Sequence, residues 1–161
     1  MPVISRFLLF FLFLGLNTPM FSQSPPDYEN LKIIGRIMDK GKTVENQAVI
    51  VFENNKRIDT LLSKSNGKFE YTVKLNSYYT LVLPGQNQNI ISLVFDTSIP
   101  EGFYYIPIYK CIIQMDDELD DELAEKHRYE DFPLGIVKYD TENLRFELDY
   151  HYFRSRIKEI K

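Results

Sequence analysis

The amino-acid sequence predicts a mostly β protein: a seven-stranded antiparallel sandwich with a C-terminal hairpin and helix. Short segments rich in β-branched and aromatic residues recur, with turn residues between them. In one segment apolar and polar residues alternate strictly over 69–75, directly after Asn66-Gly67. No helix-length periodic segment separates the strand signals before Asp116, which excludes a parallel α/β fold.

Seven segments carry the strand signal. In chain order they are 31–38, 48–53, 57–63, 67–75, 78–83, 90–97 and 103–115. In the third segment Ile58, Thr60 and Leu62 share one face. The fourth follows a tight Asn-Gly hairpin turn, because both residue types accept positive φ at little cost. Its alternation predicts one buried and one solvated face, typical of a sandwich wall. The buried face is Phe69, Tyr71, Val73 and Leu75, and the solvated face is Glu70, Thr72 and Lys74.

Residues 1–22 have the features of an export signal. Arg6 supplies a positive charge, 7–16 is an apolar run, and small Ser22 precedes the expected cleavage point. A retained anchor is the alternative, but ten apolar residues span only about 15 Å of a hydrocarbon core about 30 Å thick. Residues 23–30 (QSPPDYEN) form a polar leader before the β-sandwich at 31–115.

The chain changes character over 116–161. Residues 116–122 (DDELDDE) contain six acids, followed by bases, which favours a short solvated helix. An irregular loop and a cation-binding loop are the alternatives, although the glycine of an EF-hand is missing. Residues 136–139 and 144–148 are expected to form a hairpin packed on the sandwich.

The last segment, 150–161, has the spacing of an amphipathic helix. Its apolar stripe is expected to pack on a sheet. A partner protein or, through the basic opposite face, an anionic membrane surface are the alternatives. The stripe consists of Tyr150, Phe153, Ile157 and Ile160.

Charge and cysteine content limit the function classes. The net charge is −4, which argues against nucleic-acid binding. Cys111 is the single cysteine and cannot form an internal disulfide. It lies in an apolar run and is expected to be a small buried hydrophobe. An intermolecular disulfide and a nucleophilic role remain the alternatives.

Several short motifs carry a family resemblance. They are Gly35 within the first strand, a strand starting at Ala48, Gly67-Lys-Phe69, a Tyr-Thr-Leu strand at 79–81, and "FDTSIP" at 95–100. Their order resembles the carboxypeptidase regulatory-like domain, a transthyretin-type (prealbumin-like) β-sandwich, and in particular small secreted members from Gram-negative bacteria. The resemblance implies a non-catalytic accessory role and assigns no catalytic residues. Residues 84–89 depart from the family pattern, so any binding by that loop is not carried over.

The sequence contains none of the common catalytic motifs. His127 and His151 are the only imidazoles, and both are expected at the surface. There is no nucleophile elbow, zinc helix or phosphate loop. The transthyretin-like hydrolases of purine breakdown resemble a different pattern, with paired histidines and a Tyr-Arg-Gly-Ser tail. The sequence therefore predicts no enzyme and no catalytic, cofactor-binding or metal residues. A hydrolase with paired carboxylates stays open, because acids are plentiful.

Aromatic residues are the other resource, with 11 Tyr and 12 Phe. Neighbouring residues of a strand face opposite ways, so some of the tyrosines should point outward. An outward tyrosine could contact a sugar or a protein. The simpler interpretation is that neighbouring side chains partly cover these tyrosines. The tyrosines in question are Tyr78, Tyr79, Tyr104, Tyr105 and Tyr109.

The expected function is binding or scaffolding by an exported protein in the periplasm, at the outer membrane or outside the cell. The partner would be an envelope protein or a glycan, with peripheral membrane proximity and no nucleic acid. Two facing carboxylates in a cavity would indicate a hydrolase. A flat row of exposed tyrosines would indicate a carbohydrate-binding module. An open sheet edge would indicate protein binding by strand addition.

Overall fold

Two β-sheets pack face to face over one apolar core. The structure is a computed structural model that describes residues 29–85, 90–103, 107–115 and 133–160. The strands and the helix in these ranges are β1 (Asn30–Asp39), β2 (Lys42–Thr43), β3 (Ala48–Glu53), β4 (Lys56–Leu62), β5 (Lys68–Lys74), β6 (Tyr78–Pro84), β7 (Ile90–Asp96), β8 (Ile108–Gln114), β9 (Gly135–Asp140), β10 (Arg145–Leu148) and α1 (Tyr150–Ile160).

The smaller sheet is built around β1. Strand β5 pairs with β1 antiparallel along one side, β2 pairs with its C-terminal end, and β8 pairs with it in parallel along the other side. The larger sheet has six strands in the order β10-β9-β7-β6-β3-β4. In this sheet β7 and β9 are parallel and the other neighbours are antiparallel.

The mostly β prediction is confirmed, and each of the seven predicted segments contains a strand. The count of seven is not confirmed: β2 is an additional strand, and the predicted hairpin at β9 and β10 forms but is part of the larger sheet, so the described strands number ten. The purely antiparallel arrangement is also wrong. Parallel partners need long connections, and both parallel pairs here join strands that are far apart in sequence. Local alternation carries no information about such pairings.

The predicted wall is confirmed in β5. Phe69 and Val73 are fully buried, Tyr71 and Leu75 are half-buried, and the three polar residues between them include exposed Glu70. By contrast, the shared face of Ile58, Thr60 and Leu62 in β4 points to solvent, while Leu61 packs against the core. Strand β4 is the last strand of its sheet, and its register with β3 shifts between Val51 and Phe52.

The absence of a side chain at Gly35 of β1 leaves room for the Phe69 ring of β5. Gly35 lies directly opposite Phe69 in the β1–β5 register. The Phe69 ring covers this glycine, so that a Cβ atom at Gly35 would lie 2.1 Å from Phe69 Cε1. Glycine in a strand interior often marks such a close approach.

Helix α1 begins at a well-formed cap. The Asp149 carboxylate accepts a hydrogen bond of 3.0 Å from the Tyr152 N–H and forms a 2.8 Å ion pair with Lys138. Lys138 first, and then the Tyr152 N–H, hold the pKa of Asp149 below its usual value. The predicted apolar stripe is only partly buried, because Tyr150 is 61% exposed while Phe153 is half-buried. The side chains of Ile157 and Ile160 lie outside the described part.

Several sequence-based predictions fall outside the described residues. They are the export signal at 1–22, most of the leader, the loop 86–89, Tyr104, Tyr105, the acidic run 116–122 and His127. Within the described ranges, no helix combines the length and the apolar character that a membrane crossing requires.

Candidate functional site

A groove of about 760 Å³ separates the outermost strand of one sheet from the outermost strand of the other. One wall is β8 and the other is β10, with Tyr150 of α1 at the end. Each of these strands is paired on one side only among the described residues, β8 with β1 and β10 with β9. A smaller cavity of about 380 Å³ adjoins it and shares Glu147, Leu148 and Tyr150.

Among the residues that the structure describes, the main chain of β8 is paired on one side and open on the other. The Lys32 N–H donates to the Pro107 carbonyl at 2.9 Å, and the Met115 N–H donates to the Met38 carbonyl at 2.7 Å. Odd-numbered residues thus turn their main-chain groups toward β1 at both ends of the strand. Main-chain direction alternates along a strand. The N–H and C=O groups of the even-numbered residues therefore point away from β1, where no described strand pairs with them. These residues are Ile108, Lys110, Ile112 and Gln114.

The side chains of β8 alternate between core and solvent. Tyr109 and Cys111 pack against the core, and the Tyr109 ring meets Phe95 edge to face at a centroid distance of 5.5 Å. On the opposite face, Ile108 is 43% exposed and Ile112 is 62% exposed. Exposed isoleucines on an unpaired edge are unusual, because natural edge strands are commonly protected against pairing.

The β10 wall is more polar. Arg145 and Glu147 form an ion pair on its surface, while Phe146 is buried in the core and stacks edge to face with Tyr139. Glu147 is the only carboxylate among the described residues that line the larger groove. Among the described residues, the larger groove therefore presents no facing pair of carboxylates, whereas the lining of the smaller cavity includes Asp140, Glu142, Glu147 and Asp149.

Two ionisable groups of β8, the Cys111 thiol and the Tyr109 hydroxyl, are held in their neutral forms. Burial raises the pKa of the Cys111 thiol to about 11, and burial first of all raises the pKa of Tyr109 well above its usual value. At neutral pH Cys111 is thus almost entirely a thiol, which is a poor nucleophile. Cys111 packs half-buried against the core, in agreement with its predicted role as a small hydrophobe.

The other candidate residues do not gather at one place. His151 is exposed on α1. Tyr79 is buried and its hydroxyl donates to Glu53 at 2.7 Å, whereas Tyr78 is exposed at the start of β6. Tyr78 and Tyr150 are the large exposed tyrosines of the described ranges and lie on different elements, so they form no row. In the same ranges no three His, Cys, Asp or Glu side chains are grouped to hold a metal ion.

Comparisons with known proteins give structural matches alone. No family model matches the sequence, and no curated protein matches it. Among solved structures, 5-hydroxyisourate hydrolase from Klebsiella pneumoniae is similar at 15% identity and a TM-score of 0.36, over 54% of this chain and 92% of that one. A DUF3823 family protein from Parabacteroides merdae is similar at 12% identity and a TM-score of 0.34, over 55% of this chain and 46% of that one.

A third similar structure is catechol 1,2-dioxygenase from Acinetobacter sp. ADP1, at 12% identity and a TM-score of 0.36, over 78% of this chain and 55% of that one. The chain thus spans about half the length of the DUF3823 protein and of the dioxygenase.

The match to a hydrolase corrects one prediction from the sequence. The chain was predicted not to be an enzyme, and one of the similar structures, 5-hydroxyisourate hydrolase, is an enzyme. That prediction, which rested on the lack of known catalytic motifs and on the family resemblance, is therefore wrong. With 15% identity and a TM-score of 0.36, the hydrolase's own activity is not carried over to this chain.

Proposed function

We propose that this chain is an exported β-sandwich module of the cell envelope that binds an extended segment of a partner protein along the open edge of β8. The observation that carries the proposal is the open main-chain edge at Ile108, Lys110 and Ile112 beside a groove of about 760 Å³. An extended peptide can add to such an edge as a further strand, with main-chain hydrogen bonds supplying affinity.

The side chains at this edge support protein binding. Ile108 and Ile112 are exposed and would be covered by an added strand, which removes apolar surface from water. Lys110 lies between them, and a lysine in an edge strand discourages indiscriminate pairing. We infer that Lys110 restricts which segments can bind. The glycan alternative has less support, since the described tyrosines form no flat row.

Export and family membership are part of the same proposal. The order of charge, apolar run and small residue in 1–22 supports export to the periplasm or the outer membrane. The motifs at 31–100 support a small secreted member of the carboxypeptidase regulatory-like family. Relatives of that kind serve as accessory domains in peptidases, surface proteins and outer-membrane receptors, where binding a partner segment is a suitable role.

Cleavage of the signal is expected to leave Gln23 as the first residue of the exported chain. The test is expression in a Gram-negative host, cell fractionation and intact-mass measurement of the protein in the envelope fraction. The expected mass is that of residues 23–161. A full-length chain that stays in the inner membrane would support the retained anchor, and a full-length chain in the cytoplasm would contradict export.

Ile112→Pro is expected to weaken strand addition by up to about tenfold, since one main-chain hydrogen bond contributes about 0.5–1.5 kcal/mol. The substitution removes an N–H that faces the open edge and leaves the β1–β8 ladder intact, as proline is tolerated in edge strands. The matched control is Ile112→Ala, which shortens the side chain but keeps the N–H. Affinity for extended peptides selected from a random display library is the first measurement.

Amide hydrogen exchange provides the second measurement. In the free protein the amides of Ile108, Lys110 and Ile112 should exchange fast, and a bound peptide should protect them. Peptides that bind the proline variant as tightly as the alanine variant, or that protect no β8 amide, would show that the edge is not the binding site.

A further inference from the structure

The outer face of the smaller sheet is positively charged, although the whole chain carries a net charge of −4. Residues of β1, β5 and β8 that alternate with the buried ones point away from the core. Five of them are basic and one, Glu70, is acidic. We name the basic set the cationic face; it consists of Lys32, Arg36, Lys68, Lys74 and Lys110.

The single acidic side chain of this face already forms an ion pair within the face. Glu70 forms a 2.7 Å ion pair with Lys32. Lys32 first, with smaller contributions from Lys64 and Lys68, holds the pKa of Glu70 below its usual value. Glu70 therefore stays ionised at neutral pH and is paired with Lys32, and among the described residues of this face no further carboxylate balances the remaining positive charge.

Two of the remaining cations lie directly opposite each other. Arg36 and Lys68 are register partners in the β1–β5 pair, and like charges at opposed positions destabilise a sheet. On its other side Arg36 is the register partner of Ile112, and Lys110 comes two residues earlier on β8. Among the described ranges, Arg36, Lys68 and Lys110 make no ion pair. An anion beside β8 would offset this repulsion.

We propose that the segment added to β8 is acidic at its centre, with the pattern apolar-x-acid-x-apolar. This inference rests on the proposed function. In an added strand, the residue opposite Lys110 on the same face has its Cβ about 4.5–5.5 Å away, which suits a carboxylate. The residues two positions before and after it lie opposite Ile108 and Ile112 and cover them. Arg36 and Lys68 lie one and two strands further on, about 10 and 14 Å from that carboxylate, so they add to its attraction mainly at low salt.

An acidic polypeptide suits this surface better than another polyanion. The positive charge lies next to main-chain N–H and C=O groups of β8 that need partners, and only a polypeptide strand supplies both kinds of partner along with the charge. An anionic membrane or an acidic polysaccharide would use the charge alone and leave the edge unpaired.

Two synthetic peptides with the centres Val-Thr-Asp-Thr-Val and Val-Thr-Lys-Thr-Val test the inference in the full mature chain. The acidic peptide should bind at least about tenfold tighter than the basic one at low salt, and the ratio should fall in 0.5 M salt because exposed charges are then screened. Lys110→Glu should reverse the preference. The matched control is Lys74→Glu, which makes the same change of charge on β5, and it should leave the preference in favour of the acidic peptide.

The outcomes separate this inference from the proposal on which it rests. Equal binding of both peptides with protection of the β8 amides would overturn the charge pattern and leave strand addition standing. No protection of β8 amides by either peptide, or by those selected from the library, would overturn both. Anionic vesicles or an acidic polysaccharide that bind the wild type and Ile112→Pro equally, where the acidic peptide does not bind, would also overturn the inference.

Discussion

Replacing Phe69 by alanine is expected to lower the free energy of unfolding by about 3–5 kcal/mol, as for other fully buried aromatic side chains. Phe69 is 1% exposed and lies on β5, where it covers the strand β1. The truncation removes its apolar contacts and leaves a cavity between the two sheets. A loss of this size is a large share of the stability of a typical domain.

Urea unfolding followed by circular dichroism measures the effect. Thr72→Ala is the matched control, because Thr72 lies on the same strand but is exposed, and surface substitutions usually change stability by less than about 0.5 kcal/mol. If Phe69→Ala changes stability no more than Thr72→Ala does, then β5 is not a wall of the core.

Gly35→Ala is expected to have the second large effect, a loss of about 3 kcal/mol or more, at the upper end of the range for overpacking. The new methyl group would lie 2.1 Å from Phe69 Cε1 and 2.2 Å from Phe69 Cζ. Phe69 is enclosed by the core and cannot turn away without displacing its neighbours. The same urea titration gives the change in the free energy of unfolding.

A double-mutant cycle identifies the cause of that loss. Combining Gly35→Ala with Phe69→Leu makes room for the methyl group, so the double variant should be more stable than the sum of the single changes predicts. A coupling of more than about 1 kcal/mol is expected for residues in direct contact. Simple additivity would mean that the cost of alanine at position 35 arises elsewhere than at the Phe69 ring.

Local patterns predicted most of the strands of this molecule and few of their pairings. The alternation over 69–75 identified the buried side of β5, because a strand with one wet face must alternate. Nothing local states that β8 lies parallel to β1 or that β9 lies parallel to β7. Such pairings join residues far apart in sequence, and they depend on the packing of the whole chain.

The candidate site was harder to predict for the same reason. The run 103–115 was recognised as a strand, and both of its faces are apolar enough to suggest a central position. Its place at the edge of a sheet follows only from the strand order. The cationic face could not be predicted from the sequence either, because its residues come from three separate strands and the net charge of the chain is negative.

The groove between β8 and β10 has a consequence for how the molecule withstands unfolding and proteolysis. The two strands lie at the same side of the sandwich, one at the margin of each sheet. A polypeptide bound to β8 would also contact β10 and would connect the two sheets on this side. Separating the sheets would then first require this polypeptide to dissociate. Resistance to proteolysis would therefore increase with the affinity and the concentration of the bound polypeptide, as mass action requires of any ligand that binds the folded form alone.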